Sequence, residues 1–234
     1  MAQPSLNGSL SSYSHPEYAE IVVVRHGETA WNAERRVQGQ VDIELNEAGR
    51  QQAVAVADRL SREPKISVIY SSDLQRASET AQIIASRCGW PEVIKDYDLR
   101  ERHLGDLQGF IYPELAKTHP MAYKALESEK EDQEIPGGGE SLLQLFDRCT
   151  SALLRIGRKH KGERIVVVTH GAFIRSLYKW AFPKAGHAGD IHNTSINVFH
   201  LSGEDTWTLK VWGDVSHIHQ AETLPGFGGT RAYS

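Results

Sequence analysis

Two histidine-glycine pairs close two near-copies of one stretch, IVVVRHGE at Ile21–Glu28 and IVVVTHGA at Ile165–Ala172. Arg25 precedes the first histidine, His26, and His170 stands at the matching point of the second copy. An imidazole can act as nucleophile, proton carrier or metal ligand. A guanidinium beside it favours a bound oxyanion, because its forked donors match phosphate geometry. Arg76 supplies a second fork from the first turn of an expected helix, three residues after Asp73, which reads as that helix's cap. Helix N-termini themselves favour anions. Taken singly, each histidine is equally well a strand cap satisfied by backbone; the matched pair with Arg25 argues against that. A metal site of His26, His103 and His170 is a second rival, opposed by arginines that would repel a divalent cation. The pair His217 and His219 would point to opposite sides of an extended chain.

The elements that must position these groups follow from hydrophobic pattern. A β-branched run without polar alternation is a strand buried on both faces, as in a parallel α/β sheet. Residues just past the carboxyl ends of such strands line the ligand crevice of open α/β sheets, so His26 and His170 are expected to share one pocket. The first strand is read as Glu20–Arg25, followed by a loop with Thr29, Trp31, Asn32 and a Gln38-Gly39 turn. Asn46 caps a helix with Ala53, Val56, Ala57 and Leu60 on its apolar face. Ile66–Tyr70 reads as a second strand, Leu74 to Cys88 as a helix ended by Gly89 and Pro91, and Glu92–Ile94 as a short third strand. The charged segment Leu99–Phe110 is read as loop, Tyr112–Glu129 as weakly helical, and Ile135–Glu140 (IPGGGE) as a flexible return. Ser141 opens a strongly amphipathic helix carrying Leu142, Leu145, Phe146, Cys149, Leu153 and Ile156. After the second IVVV strand come a helix over Gly171–Ala181 and a hairpin of Thr194–Leu201 and Trp207–Trp212.

With 234 residues the chain suits one α/β domain with an inserted cap. The expected division is a disordered tail over 1–19, a domain over 20–219 with its cap at about 99–140, and a flexible tail over 220–234. A net charge of -4 provides no basic field for nucleic acid or anionic membranes. No apolar run is long enough to span a bilayer, and the Ser-rich start lacks the marks of a secretory or transit peptide. Cys88 and Cys149 fall on expected core faces, as reduced thiols do. The expectation is a cytoplasmic protein without metal or other cofactor; a homodimer is left open.

The motifs RHGETAWN, SSDLQRASETA, ERHLG, PGGGES and VVVTHG, in that order, resemble the histidine phosphatase superfamily, which includes cofactor-dependent phosphoglycerate mutases and phosphatases. The resemblance runs from about Ile21 to His217. It implies a three-layer α/β sandwich, a mostly parallel central sheet flanked by helices with a cap inserted after the third strand. It also implies that His26 is the nucleophile, that Arg25, Arg76 and His170 hold the phosphoryl oxygens, and that Glu101 protonates the leaving alkoxide. Gly27, Asn32, Gln38, Gly39 and Gly171 would complete the substrate-binding set, with Arg102 and His103 placed for a carboxylate or second anion. Such chemistry needs positioning and charge neutralisation more than a metal. The ring nitrogen of His26 that does not attack should donate to a fixed acceptor, such as backbone near Gly27.

Within that family the chain departs from the mutase pattern. Tyr112 occupies the place of a lysine, the cap segment Lys124–Glu134 is acidic and has no arginine pair, Ala172 replaces a polar residue, and Leu104 replaces a tyrosine. These departures imply a phosphatase of small phosphorylated metabolites such as phosphoserine or phosphoglycerate. The alternatives are a phosphoglycerate mutase and, more distantly, a non-catalytic phosphate-binding scaffold.

Overall fold

Val22, Val23 and Val24 are fully buried, and so are Val166, Val167 and Val168. Runs of this kind need apolar cover on both sides of a sheet, and the chain supplies it from two pairs of helices. The computed structural model describes residues 17–89, 93–184 and 188–219. The chain runs β1 (Ala19–Arg25), α1 (Ala30–Ala33), α2 (Glu47–Leu60), β2 (Val68–Ser71), α3 (Gln75–Arg87) and β3 (Ile94–Lys95). It continues with α4 (Leu115–Thr118), α5 (Pro120–Leu126), α6 (Leu142–Lys159), β4 (Arg164–Thr169), α7 (Gly171–Ala181), β5 (Ile196–Ser202), β6 (Thr206–Asp214) and α8 (Ser216–His219).

The six strands lie in the order β3-β2-β4-β1-β5-β6. β3, β2, β4 and β1 are parallel, and β5 and β6 add an antiparallel edge. Because side chains alternate across a pleated sheet, the two valine runs divide by parity. Ile21, Val23, Ile165 and Val167 pack with Leu145, Cys149, Leu153 and Ile156 of α6 and Phe173 and Leu177 of α7. Val22, Val24, Val166 and Val168 pack with Val56, Ala57 and Leu60 of α2 and Ala77, Ala81 and Ile84 of α3. The result is the expected three-layer sandwich. Each buried valine contributes about 1.5–3 kcal/mol.

The main helices start where their caps direct. Asn46 Oδ1 accepts from the Gly49 amide at 2.8 Å, and Ser141 forms a reciprocal capping box with Gln144. Asp73 does not cap α3 as expected. Leu74 holds the cap position without a side-chain bond, and Asp73 instead takes the two-pronged Arg100 guanidinium at 2.7 and 2.5 Å. Cys149 is buried, whereas Cys88, at the end of α3, is only partly so.

Other boundaries shift as well. β1 begins at Ala19, and Tyr18 stacks on His200 with centroids 3.9 Å apart, so the residues just before the expected domain start are packed. Residues 1–16 of the expected N-terminal tail, the stop at Pro91, Glu92 and the C-terminal tail lie outside the described residues. β3 is only Ile94–Lys95, with both side chains exposed. The hairpin starts at Ile196 rather than Thr194, because Thr194 turns into a left-handed conformation with φ +56°. Within the expected loop after β1, Thr29 and Asn32 cap the single turn of α1, too short to leave a periodic signal.

Between β3 and α6 the cap builds its own small core from Leu104, Leu107, Leu115, Ala122 and Ile135, joined by Val37 from the loop after β1. The glycine-rich return, expected to be flexible, is tied down at its two ends and leaves its middle exposed. Ile135 pairs with Gly139, the Asp106 amide donates to Pro136 O at 2.8 Å, and a Cβ on Gly105 would lie 2.0 Å from that carbonyl oxygen.

Candidate active site

β1 and β4 pair in parallel with Ile21 opposite Ile165 and Arg25 opposite Thr169. Continuing that register places His26 opposite His170, one step beyond the strand ends. Their ring centroids are 5.1 Å apart, close to the spacing of about 4.8 Å between neighbouring strands. The repeated motif is thus a device for setting two imidazoles side by side.

Both rings are buried, His26 at 2% exposure and His170 at 0%. His26 Nδ1 lies 2.7 Å from Gly27 O. A carbonyl can only accept, so Nδ1 carries the proton and Nε2 keeps its lone pair. Burial, then the charges of Arg76 and Arg25, pushes His26 well below the ordinary histidine range, against a smaller opposing effect of the Gly27 bond. His170 is lowered in the same way, by burial first and then by Arg76, His26 and Arg25. Among the described residues neither nitrogen of His170 has a hydrogen-bond partner.

The charges of both arginines act on both histidines. Arg25 Nη1 donates to Ile191 O at 2.6 Å, and Arg76 donates through Nη2 to Gly39 O at 2.7 Å and through Nη1 to Val41 O at 2.8 Å. Each is spent only in part on backbone, since both Nε groups are buried without partners among the described residues. Burial draws Arg25 down to about 9 and Arg76 down to about 10, with Glu101 opposing the fall in both cases. Two buried cations and two neutral imidazoles with unused donors make a cradle suited to an oxyanion.

Glu101 is 2% exposed and stands at the N-terminus of α7. The Ala172 amide lies 3.2 Å from each of its carboxylate oxygens, and Oε1 also accepts from the Arg102 amide at 2.8 Å. Gly171, the first residue of α7, is buried beside it. Arg102 is buried, with Nε donating to Glu140 O at 2.9 Å. His103 turns back on its own loop, its Nδ1 accepting from the Gly105 amide at 3.2 Å and its Nε2 lying 3.4 Å from Gln108 Nε2. Asn32 Oδ1 accepts from the Thr29 amide at 3.1 Å, and Gln38 Oε1 lies 3.0 Å from the Thr29 hydroxyl, so both are engaged with the loop after β1. Gly39 contributes its carbonyl to Arg76.

Gly27 has a tighter reason than approach to an anion. A Cβ there would lie 2.4 Å from Gly49 O, and one on Gly49 would lie 2.0 Å from Glu28 O, because the loop crosses the first turn of α2 backbone to backbone. The Gly27 amide donates to Thr80 Oγ1 at 3.1 Å, whose hydroxyl donates to Arg76 O at 2.7 Å.

Several participants were not anticipated. Thr80 falls one helical turn after Arg76, a spacing that could have flagged it. Asn193 Nδ2 donates to His26 O at 3.0 Å, and the Thr194 amide to Arg25 O at 3.0 Å; neither residue carries a sequence signal. Arg175, on α7, is drawn down by burial and held up by Glu101 and Asp190. Among the described residues no three His, Cys, Asp or Glu side chains are grouped to hold a metal, and no helix is long and apolar enough to cross a membrane.

This arrangement has relatives. The family model of the histidine phosphatase superfamily (branch 1) matches residues 21–215. The chain is 65% identical over 216 residues to phosphoglycerate mutase-like protein 4 of Arabidopsis thaliana, covering 92% of this chain and 94% of that one. It is 51% identical over 214 residues to the metal-independent phosphoserine phosphatase of the same organism, covering 91% and 89%. Among solved structures, the phosphoserine phosphatase of Entamoeba histolytica in complex with 3-phosphoglyceric acid gives a TM-score of 0.74 at 30% identity, covering 86% of this chain and 99% of that one. A mutant of that enzyme in complex with phosphoserine gives 0.73. The family match spans both histidine motifs and the sheet that sets them in register, and the chain accordingly belongs to the histidine phosphatase superfamily, branch 1.

Proposed function

We propose that this chain is a metal-independent phosphatase of small phosphate monoesters, phosphorylated carboxylic acids such as phosphoserine, working through a phosphohistidine on His26 with Glu101 as proton donor. The observation that carries the reading is His26 itself. Its Nδ1 proton is committed to Gly27 O, and burial keeps the ring neutral, so Nε2 presents a lone pair toward a cradle of Arg25, Arg76 and His170. Nε2 bonds to phosphorus as the ester P–O bond breaks, and the leaving oxygen takes a proton from the Glu101 carboxyl. Water then bonds to phosphorus, Glu101 takes its proton back, and the N–P bond breaks to give inorganic phosphate. Two displacements replace one difficult hydrolysis, with the arginines matching the charge on the transferred group. The metal-independent phosphoserine phosphatase among the relatives supports the hydrolase class.

A mutase reading is favoured by the name of another relative. It would need cations to hold a bisphosphorylated intermediate. Where the mutase pattern has a lysine, Tyr112 donates its hydroxyl to Glu127 Oε1 at 3.1 Å. Water is then the acceptor at hand, and we expect phosphate release to exceed isomerisation of 3-phosphoglycerate greatly, without stimulation by 2,3-bisphosphoglycerate. Rapid quenching with a radiolabelled monoester should trap an acid-labile, base-stable label that is absent in His26→Ala. An active enzyme that never carries this label would sink the mechanism. Turnover lost in EDTA and restored by a divalent metal would sink metal independence.

A further inference from the structure

Between α7 and β5 the chain lies against the strand end that carries His26. Arg25 Nη1 donates to Ile191 O at 2.6 Å, and the Arg25 amide donates to Ser195 O at 3.3 Å. In the other direction, the Thr194 amide donates to Arg25 O at 3.0 Å and Asn193 Nδ2 to His26 O at 3.0 Å. These bonds tie residues 191–195 to both Arg25 and His26.

Thr194 makes its part of this tie in an unfavourable conformation. Its φ is +56°, a left-handed backbone that glycine adopts freely and that branching at Cβ disfavours. The residue is fully buried. Strain of this kind persists where the surroundings hold it in place, and here the side chain supplies the hold. Thr194 Oγ1 lies 3.2 Å from His217 Nε2, within hydrogen-bond reach. His217 is 4% exposed and belongs to α8, the last described element of the chain. α8 packs on α2, whose first turn already backs the loop at Gly27.

We propose that His217 is a positioning residue for the nucleophile and acts through Thr194. It pins the strained turn, the turn holds the carbonyls of Arg25 and His26, and these fix where the His26 ring stands. The proposal rests on the phosphatase reading above for what that placement serves. Displacing a reacting atom by about 1 Å can cost about a hundredfold in rate, so a remote tie of this kind acts on turnover more than on stability.

The test uses the intact enzyme with p-nitrophenyl phosphate and, independently of turnover, NMR of the His26 ring nitrogens. Thr194→Gly relieves the backbone while removing the hydroxyl. Its melting temperature should change little, because strain relief offsets the lost contact, yet kcat should fall about tenfold to a hundredfold with KM changed far less. His217→Ala should show the same fall. His217→Gln, whose amide can still meet the Thr194 hydroxyl, and Thr194→Ser should recover much of it. In Thr194→Gly and His217→Ala, the Nδ1 proton of His26 held on Gly27 O should lose its protection from exchange. If His217→Ala does not fold, the two Thr194 variants carry the comparison. A His26 signal and a kcat at wild-type values in folded variants would overturn the proposal and leave the phosphatase reading standing. Losses of kcat that merely track melting temperature would also defeat it, since the pair would then serve the fold alone. A wild type that releases phosphate from no monoester would bring down the phosphatase reading, and the His26 signal in the variants would still decide whether the pair positions the ring.

Discussion

Arg148 and Glu140 meet in two parallel hydrogen bonds, Nε to Oε1 and Nη2 to Oε2, each 2.8 Å long. The same guanidinium donates to the carbonyls of Asp98 at 2.9 Å, Arg100 at 2.8 Å and Glu101 at 3.2 Å. Glu140 Oε2 also accepts from the His103 amide at 2.8 Å. The pair thus grips the backbone on both sides of Glu101 and holds its carboxyl against the start of α7.

Arg148→Lys should loosen that grip, because an ammonium cannot reproduce a planar fork with this many fixed acceptors. Breaking a well-made buried pair costs about 3–5 kcal/mol, and Arg148 keeps 15% side-chain exposure, so the lower end applies. Melting temperature should fall. Turnover of alkyl phosphates should fall about tenfold to a hundredfold, and that of aryl phosphates by much less. An alkyl-to-aryl ratio equal to the wild type in folded protein would mean that the pair supports the fold without positioning the acid.

Glu101→Gln removes the proton and leaves the shape. Alkyl esters need that proton on departure, whereas phenolates leave without much help, so kcat on alkyl esters should drop about 10²–10⁴-fold and on aryl esters far less. Equal losses on both, measured side by side, would assign Glu101 to substrate placement instead.

The buried imidazoles make the ligand-free protein acid-sensitive. His26 and His170 stay neutral when folded, since burial lowers both, but each takes a proton below about 6.5 once unfolded. The unfolded state therefore binds more protons in that range. Their contribution is fully present above about pH 6.5 and is lost as pH falls further, at up to about 2.7 kcal/mol per pH unit for the two together. Urea midpoints at pH 7.5 and 5.5 would measure this, and His170→Asn should roughly halve the histidine part of the slope. A slope unchanged in that variant would contradict neutral burial.

Gly27→Ala places a methyl against the backbone of α2. Because a carbonyl cannot rotate aside as a side chain can, we expect a loss of about 1–3 kcal/mol and weaker binding of inorganic phosphate. Differential scanning fluorimetry with and without phosphate would check both. Unchanged stability would show that the loop can lift off α2 freely.

Periodic burial leaves a mark in sequence; backbone crossings do not. The two valine runs, the apolar face of α6 and the caps Asn46 and Ser141 were legible because each obeys a local rule of spacing or hydrogen bonding. Arg25, His26, Arg76, Glu101 and His170 were legible as motifs, and the structure buries all five, with the His26 and His170 rings 5.1 Å apart. The Gly27–Gly49 crossing, the anchored glycine return and the contacts of Asn193 depend on segments far apart in the chain, and nothing local announces them. Asp73 looked like a cap for a sound reason, but Arg100, contributed by the cap, competed for its carboxylate and won. His103, read as a ligand contact beside Glu101, also bonds its ring to its own loop, a contact that no local pattern announces.

The register of β1 against β4 also has a kinetic consequence. Because side chains alternate, a slip of one residue would move His26 from its place beside His170 and turn the valines to the wrong layers. The strands that must align are separated by most of the domain, and contacts between distant segments form slowly. Anion affinity therefore cannot precede the last long-range pairing. Phosphate added during refolding should leave the early phases untouched and pull only on the final step, where native protein first exists to bind it.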